Sequence, residues 1–404
     1  MRARPLLLSL AALAILVLVP LAAVLAARQP ARASSSATVS ATPVVIATVA
    51  VGAYPVGVAA NPVTYRVYAA KNAGGDVAVI DGVTNTVTAT PSTGTEPVAV
   101  AVNATTNHIY VTNCVSRTVS VIDGITSAKE TDVGVGSCPQ GVGTNPSTNS
   151  IYVTNQGDGN VSVINGETNA EILPRIPVGN QPYGVATNPD TNTIYVANRL
   201  DGNVSVIDGE TNAEILPRIP VGSQPCGVAV NPTTNRIYVA NQASNNVSVI
   251  NGATNTEIDI DDDPSNGMTR IGVRTSPEGI AVNPSTNRIY AAGGNSVSVV
   301  DGTTNSEVAT VQGIYAARFV GVNPALNRVY VTDNSSHRVT VIQDFPIPAF
   351  VGGIAELPSV EPDAAAATEG GSSAPGPPAL AGLAAAGTLL LSGGVWYARR
   401  RRLR

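Results

Sequence analysis

Residues 141–178 read GVGTNPSTNSIYVTNQGDGNVSVINGETNAEILPRIPV. Four short runs of small and β-branched residues alternate with three turns. Gly141-Val142-Gly143-Thr144 leads into the turn Asn145-Pro146-Ser147-Thr148-Asn149. Ile151-Tyr152-Val153-Thr154 leads into Gln156-Gly157-Asp158-Gly159. Val161-Ser162-Val163-Ile164 leads into Asn165-Gly166-Glu167-Thr168-Asn169, and residues 171–178 form the last run. Each turn holds the Asn, Asp, Gly or Pro that tight hairpins require. The runs are apolar or small on both faces, as expected of strands in a sheet packed between two others.

Outward from this stretch the pattern recurs. The turn-opening Asn is found at Asn61, Asn103, Asn145, Asn188, Asn231, Asn283 and Asn323, with steps of 42, 42, 43, 43, 52 and 40 residues. The Tyr of the second run recurs as Tyr68, Tyr110, Tyr152, Tyr195, Tyr238, Tyr290 and Tyr330. The turn after the third run recurs at Asp81, Asp123, Asn165, Asp208, Asn251 and Asp301, with Gln343 in the last copy. All three ladders give seven copies. A four-stranded unit of this size cannot hide its own apolar faces, and such units stack radially. The expected fold is all-β: a seven-bladed β-propeller of four-stranded antiparallel blades over residues 44–346. The seventh copy lacks a fourth run, while residues 43–52 match that run ahead of the first copy. The N-terminal segment is therefore expected to complete the last blade and close the ring, which also removes free sheet edges.

Tyr110-Val111-Thr112-Asn113 and Tyr152-Val153-Thr154-Asn155, with their Asn-Pro and Asp-Gly companions, resemble the YVTN-repeat β-propellers. The resemblance covers residues 44–344, and the Gly-His and Trp-Asp pairs of the WD40 class are absent. It implies an exported bacterial or archaeal surface-layer-like protein with a binding or structural role, and it brings no shared catalytic residue set. The first copy (Tyr68-Ala69-Ala70-Lys71-Asn72) and the sixth (Tyr290-Ala291-Ala292-Gly293) depart from the motif in turn detail.

The ends differ from the body. Residues 1–33 resemble a secretory signal or signal-anchor, with Arg2 and Arg4 before an apolar run and Ala31-Arg32-Ala33 at a cleavage site. After a short linker at 34–43 and the propeller, residues 347–378 are a Pro/Gly/Ala/Ser-rich spacer. Residues 379–398 then read as a transmembrane anchor, with Trp396 and Tyr397 at its end. The basic tail 399–404 fixes that end inside. The expected location is extracytoplasmic, on the cell surface, tethered by this one helix. Nine of the 23 basic residues lie in residues 1–33 and 379–404, which contain no acid, so the middle of the chain carries 14 basic against 28 acidic residues. So acidic a body disfavours nucleic acid as a partner. A protein, a glycan or another envelope component at a propeller face is the expected partner, with the membrane contacted through the helix.

Repeated residues read as structural, so only positions that differ between copies can encode a ligand. One such set lies five residues before each Asn marker: Val56, Val98, Gln140, Tyr183, Cys226, Glu278 and Arg318. It should line one mouth of the central channel. Gln140, Tyr183, Cys226, Glu278 and Arg318 are the candidate ligand residues, weighed against a solvated channel with an incidental ion pair. In the insertion read between copies five and six, the carboxylates of Asp259, Asp261 and Asp263 have calcium-loop spacing, but Pro264 occupies the glycine position, and an exposed acidic loop is the expectation. Cys114 and Cys138 fall in loops on one face of neighbouring blades and form a disulfide candidate, which leaves Cys226 free. His108 and His337 are the only histidines and occupy unrelated repeat positions, so no catalytic set and no cofactor are expected. The functional expectation is a recognition scaffold. The alternatives are a lactonase-like extracytoplasmic enzyme, which would need converging acids in the channel, and a ligand sensor.

Overall fold

The computed structural model describes residues 42–260, 270–273 and 276–344. All of them belong to one compact unit, Met1–Ala349, and the second unit, Phe350–Arg404, contains none. The signal or anchor at 1–33, most of the linker at 34–43, the spacer, the C-terminal span at 379–398 and the basic tail lie outside the described residues, as do Asp261 and Asp263. Among the described residues no helix is long and apolar enough to cross a membrane.

Seven antiparallel sheets make the described fold. Their innermost strands are Pro55–Ala60, Pro97–Asn103, Pro139–Asn145, Pro182–Asn188, Pro225–Asn231, Pro277–Asn283 and Ala317–Asn323, which we number as blades 1 to 7. Six of the seven open on Pro, at a position where the missing N–H costs no ladder bond. Blade 7 takes its outer strand from the N-terminus. Val44–Ala50 pairs antiparallel with Arg338–Gln343, in register from Val44 opposite Gln343 to Ala50 opposite Arg338.

The core lies between the blades. Seven apolar clusters occur, each built from the facing sides of two neighbours. The one between blades 3 and 4 holds Tyr152, Val161, Val163 and Ile176 against Val185, Ile194, Val196 and Ile207. The cluster between blades 7 and 1 holds Val49, Tyr330, Val339 and Val341 against Val58, Val67 and Ile80. Each fully buried Val or Ile contributes roughly 1.5–3 kcal/mol, which no blade could gain alone.

The recurring polar residues tie this core together. The Asn of the Tyr-Val-Thr/Ala-Asn run donates its amide to the Ser of the third strand, from Asn155 to Ser162 at 2.8 Å and from Asn198 to Ser205 at 2.8 Å. The Ser of Val-Ser-Val-Ile therefore stays dry. Where Thr precedes that Asn, its hydroxyl reaches the next blade's inner strand, as in Thr154 to the Tyr183 carbonyl at 2.6 Å. The Asn of Asn-Pro does more than cap its turn. The Oδ1 of Asn145 accepts the Ser147 N–H, and its Nδ2 donates 2.7 Å to Asn192 Oδ1 in the following blade. The repeated Tyr is fully buried in every blade, and the hydroxyls of Tyr152 and Tyr195 cross to Asn212 and Asn255 at 3.1 Å.

The structure relocates the 52-residue step. The acidic insertion does not lie between copies five and six but interrupts the outer strand of blade 5. Thr256–Glu257 and Ile271–Gly272 both pair with the third strand, Asn246–Asn251. Glu257 and Arg270 form the ion pair, at 2.7 Å, that Glu171–Arg175 and Glu214–Arg218 form in blades 3 and 4. The outer edge thus resumes at Ile271–Gly272 with the same ion pair as in blades 3 and 4.

Candidate functional site at the channel mouth

The seven variable residues occupy the second position of each innermost strand. In every blade this position sits in a register shift. Pro139 faces Asn155, and pairing resumes only with Val142 opposite Val153, so Gln140 and Gly141 are bulged. The same shift spans Tyr183 and Cys226 and reaches Glu278 and Arg318. Bulges turn side chains off the pleat direction. Two residues upstream the backbone enters the left-handed region at non-glycine residues: Tyr54 (φ 53°), Glu96 (55°), Cys138 (47°), Gln181 (51°), Gln224 (51°) and Ala316 (53°). The same left-handed geometry recurs in the turns of every blade, so it belongs to the repeat and sets the direction from which this strand enters.

Glycine follows the variable residue in five blades because the inner strands approach closely there. A Cβ on Gly184 would lie 2.3 Å from the Cys226 carbonyl, and one on Gly279 would lie 2.3 Å from that of Arg318.

Blades 4 to 7 form one connected polar cluster. Tyr183 donates its hydroxyl to Glu278 Oε1 at 2.8 Å, passing blade 5. Arg318 Nη2 donates to the same oxygen at 2.5 Å, and Arg318 Nε donates to Glu278 Oε2 at 3.2 Å. Arg199 lies 5.4 Å from the Tyr183 ring centroid, and its Nη2 donates to Gln242 Oε1 at 2.7 Å. One guanidinium, that of Arg318, therefore grips the carboxylate, while the other, that of Arg199, lies against the Tyr183 ring and Gln242. The Arg318 side chain is 34 % exposed and that of Glu278 is 14 % exposed. A cavity of about 400 Å³ opens beside them, lined by Gln242, Ser276, Glu278, Arg318 and Asn334.

Protonation is set by these surroundings. Burial, then the Glu278 charge, pushes the Tyr183 phenol far above its ordinary range, so it stays a donor at neutral pH. Burial would lower the Arg318 pKa, but the hydrogen bond and charge of Glu278 outweigh it and the guanidinium is held up. Burial pushes the Cys226 thiol up to about 12. As a neutral thiol it is a poor nucleophile at pH 7.

The remaining candidates take other partners. Cys226 is fully buried, with its sulfur 3.7 Å from Gln242 Oε1. Gln140 turns to the sulfur of Cys138 at 3.2 Å, and Val56 and Val98 are buried. Cys114 and Cys138 are joined by a disulfide that links the loops of blades 2 and 3. Asp259 is half-buried in blade 5. Among the described residues no three of His, Cys, Asp and Glu gather in a metal-holding group.

Arg199, Gln242 and Asn334 escaped the sequence reading. They share one repeat position, the residue after the Asn of the second strand, occupied elsewhere by Asn72, Cys114, Gln156 and Gly294. The signal was present, since this position also varies at a fixed offset.

The family described as lactonase, 7-bladed beta-propeller, matches residues 161–258. That stretch contains Tyr183, Arg199, Cys226 and Gln242 but stops short of Glu278 and Arg318. No curated protein matches. Among solved structures, one titled Kuenenia stuttgartiensis Hydrazine Synthase is similar with a TM-score of 0.62 at 21% identity, covering 72% of this chain and 95% of that chain. The likeness is one of fold. This chain is a seven-bladed propeller, similar over blades 3 to 5 to the lactonase family.

Proposed function

We propose that the protein is an exported, membrane-tethered scaffold of the YVTN-repeat type that binds an envelope component at the channel mouth. One observation carries this reading. The acid at the mouth, Glu278, has both oxygens engaged by Arg318 and Tyr183. A carboxylate so held is a positioned recognition group rather than a free base or metal ligand. The apolar runs at both ends support delivery to the outside and retention there.

The test is capture of solubilised envelope material by the full chain, with Arg318→Ala as comparison. The expected result is a specific component retained by the wild type and lost with the variant. Equal retention by both proteins would move the binding surface away from the mouth.

The family match over 161–258 favours a second reading, hydrolysis of a lactone at the same mouth. Turnover of lactones, assayed with and without added divalent metal and abolished by Glu278→Gln, would replace the scaffold reading.

A further inference from the structure

Resting on the reading of the mouth as the binding face, the geometry points to a chemical class of ligand. We propose that the cavity between blades 5 and 7 binds a uronic acid residue, with its carboxylate on Arg318. Glu278 covers the Nε–Nη2 edge of the guanidinium. The Nη1 end carries two further N–H donors on a side chain one-third exposed at the cavity. Because Glu278 and, through it, Tyr183 hold the guanidinium in one orientation, little rotamer freedom is lost when an anion docks. Arg199 adds a second cation in the same cluster, so the mouth is locally positive on an otherwise acidic body.

The remaining lining suits hydroxyl groups. Asn334 uses its Nδ2 on the Pro55 carbonyl, which leaves Oδ1 as an acceptor. Ser276 donates to the Gln242 carbonyl and keeps its oxygen lone pairs. A neutral set of acceptors around one oriented cation matches a polyol with a single carboxylate better than a phosphate or a simple organic acid. The volume, about 400 Å³, falls within the range of small-ligand sites. The cavity is open, so binding should be weak for one sugar and grow with multivalency on a polymer.

The experiment is a titration of the full chain in detergent with glucuronate, glucose and acetate, followed by ligand-observed NMR at fixed salt. Glucuronate should bind in the millimolar range, and glucose and acetate at least tenfold more weakly. Arg318→Gln should remove the preference for glucuronate, and Arg318→Lys should lose about tenfold because a point charge replaces a planar fork. Asn334→Ala, which touches only a backbone carbonyl, should weaken glucuronate several-fold and decides the matter if the Arg318 variants do not fold. Equal binding of glucose and glucuronate, no glucuronate binding, or an unchanged affinity in Asn334→Ala would overturn the proposal. Envelope capture that still depends on Arg318 while glucuronate fails would sink the ligand class and leave the scaffold reading standing.

Discussion

Replacing Tyr65 by Asn should complete a ring of side-chain hydrogen bonds that runs around the propeller and breaks at one junction. At six junctions the amide of the turn-opening asparagine, followed by Pro in every case but Asn103, donates to an Asn Oδ1 in the next blade: Asn61 to Asn107, Asn103 to Asn149, Asn145 to Asn192, Asn188 to Asn235, Asn231 to Asn287 and Asn283 to Asn327, at 2.7–3.0 Å. At the junction of blades 7 and 1 the acceptor position holds Tyr65, and Asn323 turns to the Asn61 carbonyl at 3.3 Å. The backbone there already matches its counterparts. Tyr65 has φ 59° against 50–55° for the six asparagines, and its carbonyl accepts the turn glycine N–H at 2.8 Å as that of Asn149 does. Asn also tolerates the left-handed region better than Tyr. The new bond should be worth about 1 kcal/mol net. Tyr65 is 40 % exposed, so the exchange also loses some packing. A double-mutant cycle with Asn323→Ala cancels that loss, along with the turn bonds Asn323 makes to Ala325 and Leu326. Urea unfolding of the four proteins should give a coupling of about 1 kcal/mol. For a body of about 300 residues this equals a Tm difference of roughly 1–2 °C, taking about 2.1 cal/mol/K per residue. A coupling within about 0.3 kcal/mol of zero would refute the claim that the Asn ring joins the blades.

Gly184→Ala should destabilise by about 1–3 kcal/mol, because its Cβ would meet the Cys226 carbonyl at 2.3 Å. Gly134→Ala, with nothing within 4 Å, should be neutral or slightly stabilising, and thermal melts of the pair check the contrast. Replacing Cys114 and Cys138 together by Ala opens a 24-residue loop and should lower stability by about 3 kcal/mol, measured by urea unfolding without reductant. Burial raises the phenols of Tyr110, Tyr152 and Tyr195 from 10.0 to about 12. The unfolded chain loses these protons first, so the stability they contribute is complete below pH 10 and is lost as pH rises through 12. Their tyrosinate absorbance should rise together with loss of circular dichroism; a rise with the fold intact would contradict their burial.

The blade count and the ring closure were legible because they depend on recurrence. Three ladders at a common period require seven units, and an orphan fourth-strand pattern at residues 43–52 had one place to go. What the ladders are for was not legible. The Asn of Asn-Pro reads as a turn cap in any single copy, and its bond to the next blade spans 46 residues in the case of Asn61 and Asn107. The insertion shows the same limit. The long step revealed extra residues, but only the Glu257–Arg270 pair locates them inside the outer strand of blade 5.

The mouth was half legible for a physical reason. Variable positions on a repeated scaffold identify a ring, yet the ring does not act as seven equal members. Cys226 is small and buried, and so leaves the Tyr183 phenol a path past blade 5 to Glu278, which Arg318 grips from the far side. Gln140 sits at the same repeat position and is drawn off to the Cys138 sulfur instead. Side-chain size at one position thus decides the partner of another two blades away, and no local reading of a single copy contains that information. The repeats dictate where the backbone brings groups together; the departures from repetition, which no rule of strand or turn specifies, dictate which of those groups meet. The polar contacts between mouth residues therefore fall in blades 4 to 7, where those residues are least alike, while blades 1 and 2 place the buried Val56 and Val98 at the same position.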